Sequence, residues 1–159
     1  MSGSNIIKLV VAVLLCQAAG ILGSLATVPA IPGWYQGLAK PAFTPPNWLF
    51  GPAWIMLYLL MGIALFLVWR QGLGRPGVKT AVTLFFIQLV LNALWSWLFF
   101  GWHQVGLAFA EIVLLWVFIL LTMIRFLPLS RVAGWLLVPY LLWVTFASAL
   151  NFSLWRLNT

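Results

Sequence analysis

Residues Thr27–Tyr58 read TVPAIPGWYQGLAKPAFTPPNWLFGPAWIMLY, a polar and proline-rich bridge between two long apolar segments. Pro29, Pro32, Pro41, Pro45 and Pro46 each fix φ and remove a backbone donor, so the bridge is stiffened rather than left as a flexible linker. It also carries Trp34, Tyr35, Trp48 and Trp54. Two readings follow from these residues. The bridge is an ordered lid over something held between helices, or its aromatic residues form an interfacial belt of the kind that collects at headgroup depth in membrane proteins.

Outward from the bridge, the composition settles the class. Of 159 residues, 65% are hydrophobic and 6% charged, whereas about a quarter of a soluble domain is charged. Apolar stretches at about Ile6–Ala26, Leu49–Trp69, Thr80–Phe100, Val105–Phe126 and Val132–Leu154 are each near the roughly 20 residues that cross a bilayer as a helix. The expectation is an all-α membrane protein, a bundle of five transmembrane helices in a single domain over 1–159, with a long ordered loop between the first two. Short alternating stretches that would mark a membrane β-barrel are absent. Lys8, Leu9–Leu15 and then Ala18–Gly20 imitate a cleavable signal, but the apolar run continues to Ala26, which favours a retained helix. Cys16 is the lone cysteine, so no internal disulfide can form.

The basic residues report topology rather than nucleic-acid binding, because they sit between spans. Lys8, Arg70, Arg75, Lys79, Arg125 and Arg131 fall on one side and Lys40 and Arg156 on the other. By the positive-inside rule the N-terminus is inside, and the first loop and C-terminus are outside. The remaining connections, marked by Gly72–Gly77, Gly101–His103 and Pro128, are short, which makes sequence neighbours pack antiparallel. An odd number of spans without an internal repeat disfavours an alternating-access transporter.

Polar residues inside spans are the first candidates for function. Gln88, Asn92 and Ser96 fall at i, i+4 and i+8 on the third span, and Thr145, Ser148 and Asn151 repeat every three residues on the fifth. Either stripe is a binding face, or it is hydrogen-bonding glue between helices. Aromatic residues complement them: Trp54 and Tyr58 on the second span, Trp95 beside the third-span stripe, Trp143 and Phe146 on the fifth. Flat rings around an amide suit a flat, largely apolar ligand, with an indole N–H or the Asn92 amide meeting its polar edge. Glu111 is the only carboxylate, so no acid/base pair exists, and no Cys or His cluster has metal-ligand spacing. His103 reads as a solvated interfacial residue. On the first span, Ala19 with Gly23 and Gly20 with Ser24 permit close helix approach, inside the bundle or between subunits.

With these residues in view, the chain resembles the TspO/MBR family, the tryptophan-rich sensory proteins that include the mitochondrial translocator protein or peripheral benzodiazepine receptor. The resemblance covers almost the whole length. It is carried most specifically by WYQGLAKPAFTPPNWLFGPAW at Trp34–Trp54, LNALWSWLFFG at Leu91–Gly101 and WLLVPYLLWVTFASALNFSLWR at Trp135–Arg156. The resemblance implies a homodimer of five-helix bundles that binds porphyrins such as protoporphyrin IX beneath the first loop, in a cavity shared with benzodiazepine-site drugs. It places the pocket tryptophans at Trp54 and Trp143, the pocket asparagine at Asn92, the covering pair at Trp34 and Tyr35, and a fifth-helix position that affects ligand binding at Ala147. Tyr58, Trp95, Phe146 and Leu150 complete the candidate ligand-binding set.

The cholesterol-recognition pattern of the family is not matched strictly, since Phe152 stands where it needs tyrosine in Leu150–Arg156. Tetrapyrrole binding is accordingly preferred to sterol binding. A binding protein with a role in tetrapyrrole transport or sensing is the favoured reading, with porphyrin as ligand rather than cofactor, no metal and no nucleic acid. Its alternative is an enzyme that degrades porphyrin in light and oxygen, with Trp54 and Trp143 as the reactive residues. An inner membrane is the default for a helical bundle in a bacterium, and the resemblance adds an outer or mitochondrial outer membrane as the family's other settings.

Overall fold

The computed structural model describes residues 1–159 and is helical throughout, without a strand. Six α-helices are present: α1 Gly3–Ala30, α2 Asn47–Trp69, α3 Val78–Ser96, α4 Val105–Phe126, α5 Arg131–Leu136 and α6 Val138–Leu157. The last two form one apolar rod, interrupted at Leu137 just before Pro139, whose ring carries no N–H to continue the ladder. Five rods, Gly3–Tyr35, Asn47–Trp69, Val78–Gly101, Val105–Phe126 and Arg131–Leu157, are therefore long and apolar enough to span a membrane.

The first span differs from the sequence expectation. Instead of ending near Ala26, helical backbone runs through Pro29 and closes in a wide turn, Ile31–Tyr35, where the Gln36 amide reaches five residues back to the Ile31 carbonyl at 3.2 Å. Pro29 and Pro32 already hold φ near the helical value, so neither stops the helix, and Pro32 stands at the start of the wider turn. Trp34 and Tyr35 thus stand on the end of a helix, and the loop proper shrinks to the eleven residues from Gln36 to Pro46. A second wide turn, Trp97–Gly101, ends the third span at the same face, closed by the Trp102 amide on the Trp97 carbonyl at 2.8 Å.

Small residues decide how closely the rods approach. A Cβ built on Gly62 of α2 would lie 2.7 Å from the Val13 Cα of α1, so these two backbones touch only because Gly62 has no side chain. Likewise a Cβ on Gly20 would meet the Tyr58 ring at 2.6 Å, and one on Gly23 the Ser96 hydroxyl at 2.9 Å. Gly20 and Gly23 of the first-span stripe therefore make their close contacts within the bundle.

The core below these contacts is apolar and tight, with Ala12, Met61, Ala64, Phe85, Ile119 and Phe126 fully buried. The opposite pattern covers the outside. Ile7, Leu14, Ile21 and Val28, one heptad apart on α1, are each at least 60% exposed, as befits a helix face that meets lipid tails rather than water. At one end of the bundle the Gln71 amide donates to the Leu129 carbonyl at 2.7 Å, tying the turn after α2 to the turn after α4. At the other end the first loop meets the C-terminal end of α6.

Candidate functional site

A cavity of about 530 Å³ occupies the loop-side half of the bundle, between α1, α2, α3 and α6. α1 and α2 stay in contact below it, at Gly62 with Val13 and at Gly20 with Tyr58, and both wide turns contribute aromatic side chains to its lining. Tyr35 comes from the first turn and Phe99 and Phe100 from the second. Trp54, Tyr58, Trp95, Trp143, Ala147 and Leu150 line the walls. Of the ten sequence candidates, these six and Tyr35 are brought together around one space.

The other three lie elsewhere. Phe146 stands behind the wall, packed on Trp143 at 5.8 Å and edge-on to Phe43 of the loop at 6.1 Å. Trp34 faces a separate cavity of about 400 Å³ with His103, Trp155 and Asn158. Its indole stacks on the His103 imidazole at 4.1 Å and 7°, and His103 has φ of +57°, the left-handed region seldom taken by non-glycine residues. Asn92 lies beneath the floor, 3% exposed, with its amide already engaged.

That engagement forms a directed chain. The Tyr58 hydroxyl donates to Asn92 Oδ1, Asn92 Nδ2 donates to the Tyr140 hydroxyl at 2.8 Å, and the Tyr140 hydroxyl donates to Gln88 Oε1 at 2.7 Å. Three helices are joined by it immediately below the cavity. Buried amides and hydroxyls inside a membrane need such partners, since nothing in hydrocarbon can replace them. The third-span stripe is thus glue at Gln88 and Asn92, reaching the cavity only through Tyr58, while Ser96 does line the space. Tyr140 is fully buried and was not legible as a partner in the sequence, where a tyrosine in an apolar run looks like packing. Its place three residues before Trp143 was the available signal.

The fifth-span stripe does not act as one face. Asn151 accepts from the Trp95 indole at 2.9 Å and donates to the Val105 carbonyl at 2.9 Å. Thr145 accepts from the Trp116 indole at 2.8 Å on the bundle's outer side, and Ser148 donates to the Val144 carbonyl. Helix-to-helix bonding accounts for Thr145 and Asn151.

The chemistry on offer in the cavity is a set of rings and unspent donors. The Trp54 and Trp143 rings meet edge to face at 6.4 Å, and Trp54 stacks on Tyr58 at 5.5 Å. Neither indole N–H of this pair donates within the protein, in contrast to those of Trp95, Trp97 and Trp116. The Tyr35 hydroxyl is buried without a hydrogen-bond partner. Lys40 caps this corner: its Nζ sits 4.8 Å over the Tyr35 ring and donates to the Gln36 and Leu38 carbonyls. The cavity also opens sideways, because Ile21, Val28 and Ile55 line it while more than 60% exposed on the lipid-facing surface. Glu111 lies outside it, buried on α4 with neither carboxylate oxygen hydrogen-bonded.

The chain has relatives among known proteins. The sequence profile of the TspO/MBR family matches residues 12–156. A tryptophan-rich protein TspO of Archaeoglobus fulgidus is 46% identical over 154 residues, covering 97% of this chain and 99% of the relative. The protein CrtK of Rhodobacter capsulatus is 41% identical, covering 90% of this chain and 88% of its own length. The human translocator protein is 40% identical over 127 residues, covering 79% and 75% respectively.

Proposed function

Because the chain belongs to the TspO/MBR family of membrane proteins, we propose that it binds a tetrapyrrole, protoporphyrin IX or a haem-like relative, in the cavity under its first loop, and serves in tetrapyrrole transport or sensing. The observation that carries this is the cavity itself. Its roughly 530 Å³ lie in the range of small-molecule sites, and its walls are mostly rings with a few convergent donors. A flat macrocycle gains contact area and edge-to-face attraction from Trp54, Tyr58, Trp95 and Trp143. The free donors at Trp54, Trp143 and Tyr35 have no acceptor inside the protein, and propionates or carbonyls of a ligand supply one. Benzodiazepine-site drugs, which are also aromatic and carry a carbonyl, fit the same description.

The lateral opening favours ligands dissolved in the bilayer. Six basic residues gather toward the opposite end of the bundle from the loop, which supports an inside N-terminus and an outward-facing loop and C-terminus. A homodimer is part of this reading. Gly20 and Gly23 make their close contacts inside the bundle, so they do not form its interface.

Close contact between Trp54 and Trp143 favours one alternative, light- and oxygen-dependent degradation of the bound porphyrin with these indoles as electron donors. Spectra of the protoporphyrin IX complex taken in the dark and then under illumination separate the two. An unchanged Soret band in both supports binding and transport. Loss of that band with growth of a bilin-like absorption, abolished in Trp54→Phe and Trp143→Phe, supports the enzyme.

A further inference from the structure

The first loop starts after Tyr35 and ends before Asn47, both of which line the cavity, and in between it is fastened to the wall formed by α6. One fastening is apolar, the contact of Phe43 with Phe146. The other is polar and reciprocal. Asn158 Oδ1 accepts from the Ala39 amide at 2.9 Å, and Asn158 Nδ2 donates to the Ala39 carbonyl at 2.9 Å, across 119 residues of sequence. The side chain thereby satisfies both backbone groups of one loop residue, as a neighbouring strand would.

Asn158 Nδ2 also donates to the Leu154 carbonyl at 2.8 Å, which closes the C-terminus of α6. Capping needs only that bond, so the pair to Ala39 serves the loop. Motion at Ala39 carries the roof with it, because Lys40 ties the Gln36 and Leu38 carbonyls together over the Tyr35 ring. Both bonds to Ala39 are exposed, so water can replace them and the fastening opens at modest cost.

We propose that Asn158 is a positioning residue that clasps the first loop shut over the cavity and thereby sets how fast ligand enters and leaves. This rests on the reading of the cavity as a ligand site. Asn158 does not line that cavity. Removing it therefore weakens the closed loop in the empty and the occupied protein alike, so both rates rise with the open fraction while their ratio holds.

The test uses the full chain in nanodiscs, with protoporphyrin IX mixed in the dark and tryptophan quenching followed by stopped flow. Asn158→Ala is expected to raise kon and koff together by about three- to tenfold, the factor for losing one or two exposed hydrogen bonds, with Kd changed by less than about twofold. Asn158→Asp keeps the acceptor for the Ala39 amide but not the donor for its carbonyl, and falls between. Hydrogen exchange across residues 36–46 of the ligand-free protein rises in the alanine variant. Wild-type rates in both variants would overturn the proposal and place entry at the slot between Ile21, Val28 and Ile55. A weaker Kd arising from koff alone would also overturn it, making Asn158 part of the bound state rather than its gate. A wild-type protein that binds no porphyrin would strike the proposed function instead, and the exchange measurement would still decide whether Asn158 holds the loop.

Discussion

Tyr140→Phe removes one oxygen from the centre of the chain that runs beneath the cavity, and its consequences follow from who loses a partner. Gln88 Oε1 loses its donor, and one Asn92 N–H loses its acceptor, both among residues no more than 3% exposed. An unpartnered buried polar group costs about 1–3 kcal/mol, but interhelical hydrogen bonds in membrane proteins measure about 0.6 kcal/mol on average and about 1.7 at most. The smaller scale governs here, since Gln88 and Asn92 lie one turn apart on α3 and can partly re-pair. The expected loss is about 1–2 kcal/mol of stability. Reversible unfolding in mixed detergent micelles reads it, within a cycle that includes Gln88→Leu and the double variant. Because Gln88→Leu removes the acceptor that Tyr140→Phe would strand, the double variant loses less than the sum of the singles. Strictly additive losses, or wild-type stability in Tyr140→Phe, would refute the chain as a load shared among α2, α3 and α6.

Three further outcomes are expected. Gly62→Ala brings a Cβ within 2.7 Å of Val13 backbone and lowers stability by about 1–3 kcal/mol, measured by the same unfolding assay. Ala147→Thr adds bulk to the cavity wall one turn beyond Trp143 and reduces porphyrin affinity by roughly one to two decades with the fold kept, measured by titration. Asn92→Ala lowers thermal stability and weakens carboxylate-bearing and purely alkyl porphyrins together, because the amide is spent on Tyr58 and Tyr140; selective loss of the carboxylate-bearing ligand would show that the amide turns to the ligand instead.

The five spans were legible because length and apolar composition alone decide what can cross a bilayer. The end of the first was not, because the proline rule says which donor is lost and not that the helix stops there, and here helical backbone runs on to Tyr35. Helical spacing explains one stripe and fails for the other. Steps of four turn about 40° beyond a full circle, so Gln88 and Asn92 share a face, whereas two steps of three carry Thr145 and Asn151 about 120° apart. The cavity tryptophans were legible through the family resemblance. Helical spacing puts Asn92 on one face with Gln88, yet its partners are 34 and 48 residues distant, and only the fold shows that they engage its amide. Asn158 gave no signal, since a polar residue near a helix end is ordinary until Ala39 is seen beside it.

The central claim is that the cavity is a specific tetrapyrrole site. An equilibrium titration of protoporphyrin IX in the dark, repeated in the presence of a benzodiazepine-site drug, tests it most directly. The account predicts saturable binding at one porphyrin per chain, displaced competitively by the drug and weakened in Trp54→Phe and Trp143→Phe. Non-saturable uptake equal to that of protein-free nanodiscs, or saturable binding indifferent to the drug and to both substitutions, would contradict it.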